Sequence, residues 1–507
     1  MSGGAFAELF PSAETALRRE FLRSDTGRVL RYDEALAQSG RLANALVALG
    51  VRPGDRVAVQ VEKSIEAVLL YLATLRTGAV YLPLNSGYTA PELEYFLADS
   101  EPALFVCAPD RHELLQSLAA RARVGAVRTL GADGRGTLMA EAERQSTRYE
   151  TVARRDQDLA AILYTSGTTG RSKGAMLSQA NLVSNARTLA AQWHFTSEDV
   201  LLHALPIFHI HGLFVAINIT LAAGSSIIFL PRFDPDLVLR HLARASVMMG
   251  VPTFYVRLLK DPRLDRSVTA QCRLFISGSA PLLSDTHRQW AERTGHRLLE
   301  RYGMSETGMN TSNPYTGERV PGSVGLPLPD VSLRITDVTS GAALLSGEVG
   351  MIEVKGPNVF VGYWRQPDKT RADFREDGYF ITGDLGRIDA RGYVFIIGRN
   401  KDVVISGGYN VYPKEIETEL DALPGIFESA VIGLPHPDFG EGVTAVIVRS
   451  EGALEPTDIQ ALTALRARLA AYKLPKRFIF VDQLPRNSMG KVQKNLLREQ
   501  YAGIYAG

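Results

Sequence analysis

From about Asp55 to Tyr302 the chain alternates between short apolar runs and amphipathic helical patterns. The run 55–61 (DRVAVQV) is followed by 64–78, where apolar residues recur every three and four positions, the spacing of one helix face. Residues 79–84, 102–109, 159–167, 199–206, 225–230, 246–252 and 274–280 continue as predicted strands. Helices are predicted to open at Thr89 and near Ser178, Asp234 and Ser284; Thr89-Ala-Pro-Glu92 has capping-box spacing, with proline inside the first turn. This alternation argues for largely parallel sheets with helices packed on them. After Pro321 the rhythm changes. The runs 331–337, 350–356, 378–389 and 392–399 read as strands parted by Gly, Asp and Pro turns, a β-rich subdomain. A charged, glycine-flanked segment, Gly398-Arg-Asn-Lys401, then leads into a small α/β unit. That unit holds a helix at 413–423, strands at 428–435 and 442–448, a long helix from Thr457 to about Tyr472, and a strand at 477–485. The expected division is a large α/β unit over 1–398, a hinge at 399–402 and a small α/β unit over 403–507.

Between Asp199 and Arg232 there is no Asp, Glu, Lys or Arg, a length that would span a bilayer. Three histidines, two prolines and a Gly-Ser-Ser break make strand, buried helix (about Gly212 to Ala222) and strand the better reading. The 507 residues are too many for one core, at about 100–200 residues per domain. With 56 Lys+Arg against 55 Asp+Glu, the net charge of +1 removes the electrostatic case for a nucleic-acid or anionic-membrane binder. Hydrophobic content of 45% and charged content of 22% exclude disorder as a dominant feature. Cys107 and Cys272 sit in apolar runs that read as strands, so neither a disulfide framework nor a Cys-x-x-Cys metal site is expected. No apolar leader or transit-peptide pattern opens the chain, and cytoplasm is the expected compartment.

The strongest chemical signal follows the run 159–164: Thr165, Ser166, Gly167, Thr168, Thr169, Gly170, Arg171, Ser172, Lys173, Gly174. Such a loop wraps so that amides and hydroxyls converge on one anion, and lysine adds charge. The spacing is not that of a Walker A loop. A flexible turn is the bland alternative, but five hydroxyls and two cations in nine residues favour phosphate binding.

The loop resembles the phosphate loop of the acyl-adenylate-forming enzymes. Further motifs match that superfamily in order: Gly278-Ser-Ala280, Glu300-Arg-Tyr-Gly-Met-Ser-Glu306, Tyr379–Asp384, Gly398–Asp402, Ser406–Pro413 and Pro485–Lys491. Ser305 stands where threonine is commoner and keeps the hydroxyl. The resemblance covers essentially the whole chain. It implies a multi-domain α/β fold, with stacked sheets and a β-rich subdomain in the large N-terminal domain and a small mobile C-terminal lid. It implies ATP, Mg2+ and coenzyme A as cofactors and substrates. Tyr302 would stack on adenine, with Gly278, Ser279 and Ala280 as the opposite wall. Ser305 would contact the α-phosphate, Glu306 would hold Mg2+, and Asp384 and Arg399 would meet the ribose. Alone, each is more often a core aromatic or a surface charge; their joint order carries the reading. Lys491 would bridge acyl oxygen and phosphate as the catalytic lysine of adenylation, with Lys494 the fallback. As a loop lysine, Lys491 is also a candidate target of a protein lysine acetyltransferase. His209 would lie near the acyl and thiol tunnel. His209-x-His211 lacks the further ligands a metal needs. Lys401 would be the hinge, and Gly407, Gly408 and Tyr409 would line the coenzyme A channel once the lid turns.

A short diacid leaves a second carboxylate buried, which requires a cation. Arg257, Ser279 and Arg301 resemble the malonate-binding trio of the malonyl-CoA synthetases, and Glu300–Ser312 matches the same group. On their own, Arg257 reads as a helix-surface residue and Arg301 as half of an ion pair. The resemblance implies malonate as the acid, with methylmalonate also accepted. The alternatives are a coenzyme A ligase for oxalate, succinate or a monocarboxylate, an adenylation enzyme loading a carrier protein, or a non-catalytic sensor.

Overall fold

The computed structural model describes residues 3–165, 172–454 and 456–505. Its described strands form four sheets. The seven-stranded sheet runs Gly362–Tyr363, Lys173–Ser178, Leu159–Thr165, Val80–Pro83, Arg56–Gln60, Leu104–Cys107, Ala126–Thr129. Its parallel half is the βα alternation read from the sequence. The nine-stranded sheet is parallel through Leu299–Met304, Leu274–Ser277, Val247–Gly250, Val200–His203 and Ser226–Phe229. Helix Ile65–Arg76 is buried along all of its length, and one apolar core joins it to residues of both sheets. A helix apolar on every face belongs between layers. Ser64 starts it by accepting from Ala67 N.

The charge-free stretch resolves into strand Val200–His203, a π-helical segment His211–Ile217 continued by helix Asn218–Ala223, and strand Ser226–Phe229. Val215 N bonds to Ile210 O, five residues back, which widens the turn. No described helix is long and apolar enough to cross a membrane. Cys107 lies in a strand, but Cys272 falls two residues before strand Leu274–Ser277; both thiols are buried, free and pushed up in pKa by burial, to about 11 and about 12.

The β-rich subdomain is a four-stranded antiparallel sheet of Ser332–Thr336, Gly350–Lys355, Phe380–Ile388 and Val394–Arg399. A 3-10 turn, Asn400–Asp402, then leads to the C-terminal sheet, which begins at Val404–Ser406 and has apolar clusters of its own. The expected long helix there is shorter, Asp458–Arg466. The chain turns extended at Ala470 and re-forms only a 3-10 turn, Ala471–Lys473, where Tyr472 stacks on Tyr409. Tertiary packing overrides helix propensity at this point.

Glu353 ties the four-stranded sheet together. It is fully buried and accepts from Arg334 Nε at 2.9 Å, Arg375 Nε at 2.7 Å and Thr336 Oγ1 at 3.0 Å. Glu353→Ala takes the carboxylate from Arg375, while Arg334 keeps Asp377, and is expected to cost about 1–2 kcal/mol, read as a lower midpoint of thermal unfolding; an unchanged midpoint would show the cluster to be dispensable.

Candidate active site

Three sheets and the C-terminal unit each send side chains to one cleft. Strand Leu299–Met304 turns Arg301 and Tyr302 to opposite faces. Tyr302 OH donates to Asp384 Oδ2 at 2.5 Å, and Arg399 Nε lies 2.7 Å from Asp384 Oδ1. Asp384 and Arg399 are direct partners across two antiparallel strands, so the pairing is set by register. Both carboxylate oxygens are thus engaged, with lone pairs left for further donors. Burial, then Asp384, pushes the Tyr302 hydroxyl well above its ordinary pKa.

The turn after this strand presents a half-buried Ser305 and a buried Glu306. Glu306 Oε1 lies 3.4 Å from Thr165 Oγ1 and 3.3 Å from Tyr363 OH. Burial raises the Glu306 pKa and outweighs the opposing pull of Arg399. Thr165 ends strand Leu159–Thr165 directly opposite Lys173, so the intervening loop closes a hairpin between antiparallel strands. Ser166, Gly167, Thr168, Thr169 and Gly170 lie outside the described residues. Lys173 is buried, its ammonium 5.1 Å over the Tyr363 ring, and burial, then Lys369, lowers its pKa. Tyr363 had no motif to mark it in the sequence.

Arg301 is 4% exposed. Its guanidinium lies against the bare Cα of Gly278, where a methyl group would come within 2.4 Å of Cζ. Ser279 follows in a left-handed conformation, φ 72°, and its hydroxyl accepts from Arg301 Nη2 at 3.5 Å. No carboxylate among the described residues pairs with Arg301, and burial pushes its ionisation down to about 9. Glu300 precedes it but points to the other face of the strand. There burial pushes the Glu300 carboxyl up to about 8, and Gly322 N donates to it at 3.4 Å. The intramolecular ion pair that sequence alone suggested for Arg301 is therefore not formed. Arg257 does not join this cluster: it is exposed on helix Pro252–Leu259, its guanidinium 5.3 Å from the Phe233 ring centre. The expected trio is therefore two residues brought together and one held apart.

Two imidazoles line the same region. His209 is half-buried, and burial, then Arg301, pushes its pKa down to about 4. His211, fully buried, is held neutral in the same way. Among the described residues no group of three His, Cys, Asp or Glu is placed to hold a metal ion.

From the C-terminal unit, the loop Arg486–Val492 reaches into the cleft. Asn487 Oδ1 shapes it by accepting from Met489 N and Lys491 N, each at 3.0 Å. Met489 is buried in the N-terminal core, and Asn85 Nδ2 donates to Ser488 Oγ at 3.4 Å. Gly490, at φ 73°, passes so close to Thr253 that a methyl group would lie 3.0 Å from its Oγ1. The Lys491 ammonium remains open to solvent yet is ringed by protein. This crowding, then Arg399, lowers its pKa, while Asp384 and Asp402 are its acidic neighbours. Lys494 Nζ is instead tied to Glu417 Oε1 at 2.6 Å within the C-terminal unit. Gly407 and Gly408 form a two-residue hairpin turn with positive φ, 59° and 80°. Tyr409 beside them is 59% exposed and away from the cleft, and Lys401 is exposed in the 3-10 turn.

A cleft with an aromatic ring, a carboxylate–guanidinium pair, a buried acid and a docked lysine is suited to a nucleotide and a second anion. Comparison with known proteins agrees. The AMP-binding enzyme model matches residues 7–364 and the AMP-binding enzyme C-terminal domain matches 415–491. The chain belongs to the AMP-binding enzyme family. It is 35% identical over 520 residues to a malonate–CoA ligase of Arabidopsis thaliana, covering 96% of this chain and 83% of that one. A feruloyl-CoA synthase of Amycolatopsis is 36% identical over 480 residues, covering 94% of each, so identity at this level does not name the acid. MatB from Rhodopseudomonas palustris is 60% identical over the full length of both chains, with TM-score 0.97 in its ATP-bound form and 0.86 in its apo form.

Gly278→Ala places a methyl group where the Arg301 guanidinium lies. Acid-dependent adenylation is expected to fall about a hundredfold, well beyond any loss of ATP affinity. Parallel kinetics and ATP binding measurements test this, and equal loss of both would mean that the methyl group acts through the nucleotide and not through Arg301.

Proposed function

We propose that the chain is an ATP-dependent, AMP-forming acid–thiol ligase that joins malonate to coenzyme A. The observation that carries the choice of acid is Arg301, a buried guanidinium without an anion in a cleft otherwise furnished for a nucleotide. A buried cation favours a ligand that returns the missing charge. Kinship with the Arabidopsis malonate–CoA ligase points the same way.

In the first step a malonate carboxylate oxygen attacks the α-phosphorus of ATP and pyrophosphate leaves, giving malonyl-adenylate. In the second, the coenzyme A sulfur attacks the acyl carbon, the thiol loses its proton and AMP leaves. Tyr302 stacks on adenine beside Gly278–Ala280, Asp384 and Arg399 hold the ribose, and Ser305 contacts the α-phosphate. Thr165 to Gly170 and Lys173 hold the remaining phosphates. Glu306 fits magnesium: it is buried, no cation among the described residues forms an ion pair with it, and Mg2+ takes few carboxylates besides phosphate oxygens. Bound there, the ion would neutralise phosphate charge. Arg301 holds the distal carboxylate with Ser279 backing its guanidinium, and Arg257 adds positive charge from its exposed helix. A pocket tolerant of one added methyl also takes methylmalonate, since a methyl group is worth about 1–3 kcal/mol of discrimination.

Lys491 offsets charge between acyl oxygen and phosphate in the first step. The second step uses a different face of the lid. With 1–398 as the fixed domain, 399–402 as the hinge around Lys401 and 403–507 as the lid, rotation carries Gly407, Gly408 and Tyr409 to the thiol channel near His209. The outward position of Tyr409 while Lys491 is docked supports this division.

ATP–pyrophosphate exchange across malonate, methylmalonate, succinate, acetate and a fatty acid is the deciding experiment. Malonate is expected to be fastest, and Arg301→Ala to lower its kcat/KM by about two to three orders of magnitude; acetate or a fatty acid outrunning malonate refutes the assignment. Lys491→Ala is expected to lose exchange yet still convert supplied malonyl-adenylate with coenzyme A. Because adenylation needs the ammonium form, and the Lys491 pKa is lowered, wild-type exchange should decline with rising pH below the ordinary lysine value of 10.5. A profile flat to that pH would remove Lys491 from this role.

A further inference from the structure

His211 opens the π-helical segment His211–Ile217 and is fully buried. Its Nδ1 lies 3.3 Å from Ser279 Oγ, the oxygen to which Arg301 Nη2 donates. A guanidinium N–H only donates, so the Ser279 oxygen accepts there and its hydrogen is free for His211 Nδ1. With that hydrogen donated to Nδ1, the ring proton sits on Nε2, a buried atom with no partner among the described residues. The backbone at His211 is braced from both sides. His211 N donates to His209 Nδ1 at 3.2 Å. On the other side Lys63 Nζ donates to His203 Nδ1 at 2.8 Å, which leaves His203 Nε2 to donate to Gly212 O at 2.7 Å. Gly212 itself passes Pro206 O so closely that a methyl group would fall 2.1 Å from it. The backbone that carries the ring is therefore fixed on both sides.

We propose that His211 is a positioning and specificity residue. Its neutral imidazole takes the Ser279 hydrogen, turns the hydroxyl lone pairs toward Arg301 and so holds the guanidinium in the plane that meets the far carboxylate of the acid. The inference rests on the reading that Arg301 binds that carboxylate. It adds a residue remote from the reacting carboxylate whose loss affects a diacid more than a monoacid. The left-handed backbone of Ser279 fits the same purpose, since strain of this kind persists where the surroundings fix a side chain in one direction.

The test compares malonate with propionate, an acid of similar size that lacks the second carboxylate. His211→Leu is expected to raise the malonate KM about tenfold, leave kcat and the ATP KM within about threefold, and leave propionate unchanged. His211→Asn, whose amide oxygen reaches the Nδ1 position, should restore malonate binding, whereas His211→Gln, which reaches the Nε2 position, should not. Ser279→Ala combined with His211→Leu should be no worse than the more damaging single change, because both break one chain of hydrogen bonds. Equal effects of His211→Leu on malonate and propionate overturn the proposal. So do indistinguishable Asn and Gln variants, a comparison that holds even if the leucine variant folds poorly. Wild type preferring propionate overturns the malonate reading and this inference with it; wild type preferring malonate, with variants that leave the preference intact, overturns this inference alone.

Discussion

The site depends on one costly arrangement, a guanidinium taken out of water with no carboxylate to meet it. An uncompensated buried charge costs several kcal/mol, so the surroundings must be strong enough to hold Arg301 where it is. Several features serve that end. Gly278 has no side chain to occupy the guanidinium's volume. Ser279 takes a left-handed backbone that an L-residue adopts at a cost of about 1–3 kcal/mol. Strand alternation turns Glu300 away, so the nearest carboxylate in sequence cannot quench the charge. Left without a carboxylate partner among the described residues, Arg301 gains most from a ligand that brings its own anion.

The rest of the cleft follows from where strands end. Gly278 follows strand Leu274–Ser277, Ser305 follows Leu299–Met304, Thr165 closes Leu159–Thr165, and His209 lies in the segment after Val200–His203. In open sheets of this kind the carboxyl ends of strands leave a crevice outside the sheet where ligands bind. Asp384 and Arg399 come from the separate antiparallel sheet, yet meet Tyr302 because register sets them opposite one another. Residues far apart in the chain thus converge without a long, unsupported loop.

Much of this was legible in the sequence because the features are local. The capping box at Thr89 forms as spaced, and Ser178 and Asp234 cap the helices predicted to open there. The charge-free stretch separates into strand, buried helix and strand because its apolar run is broken where the chain must turn. What was not legible depended on tertiary contact. The helix after Thr457 ends at Arg466, and Tyr472 beyond it stacks on Tyr409. Nothing in the spacing of Arg257 and Arg301 told which would be buried, since a strand interior and a short helix surface separate them. Tyr363 shapes the cleft through contacts that leave no sequence pattern, and the motif holding Asn487 did not show that its side chain folds the loop. His211 was visible only as part of a weak metal signal, and its contact with Ser279 crosses 68 residues.

The neutral histidines make the electrostatic logic of the pocket specific. Were His209 or His211 protonated, positive charge would sit beside Arg301 and raise the cost of burying it, and the pocket would gain attraction for any anion regardless of shape. Burial and Arg301 instead hold both rings uncharged, so their contribution is hydrogen-bond geometry. One buried cation then stands beside the two histidines and the docked Lys491 stands near Asp384 and Arg399. A monoacid can satisfy the second but leaves the first unpaired, while a diacid too long to fold between them must leave one carboxylate misplaced. Selectivity here is a penalty on the wrong ligand as much as a reward for the right one, which is how a small pocket with few contacts can discriminate by charge where it could not by area.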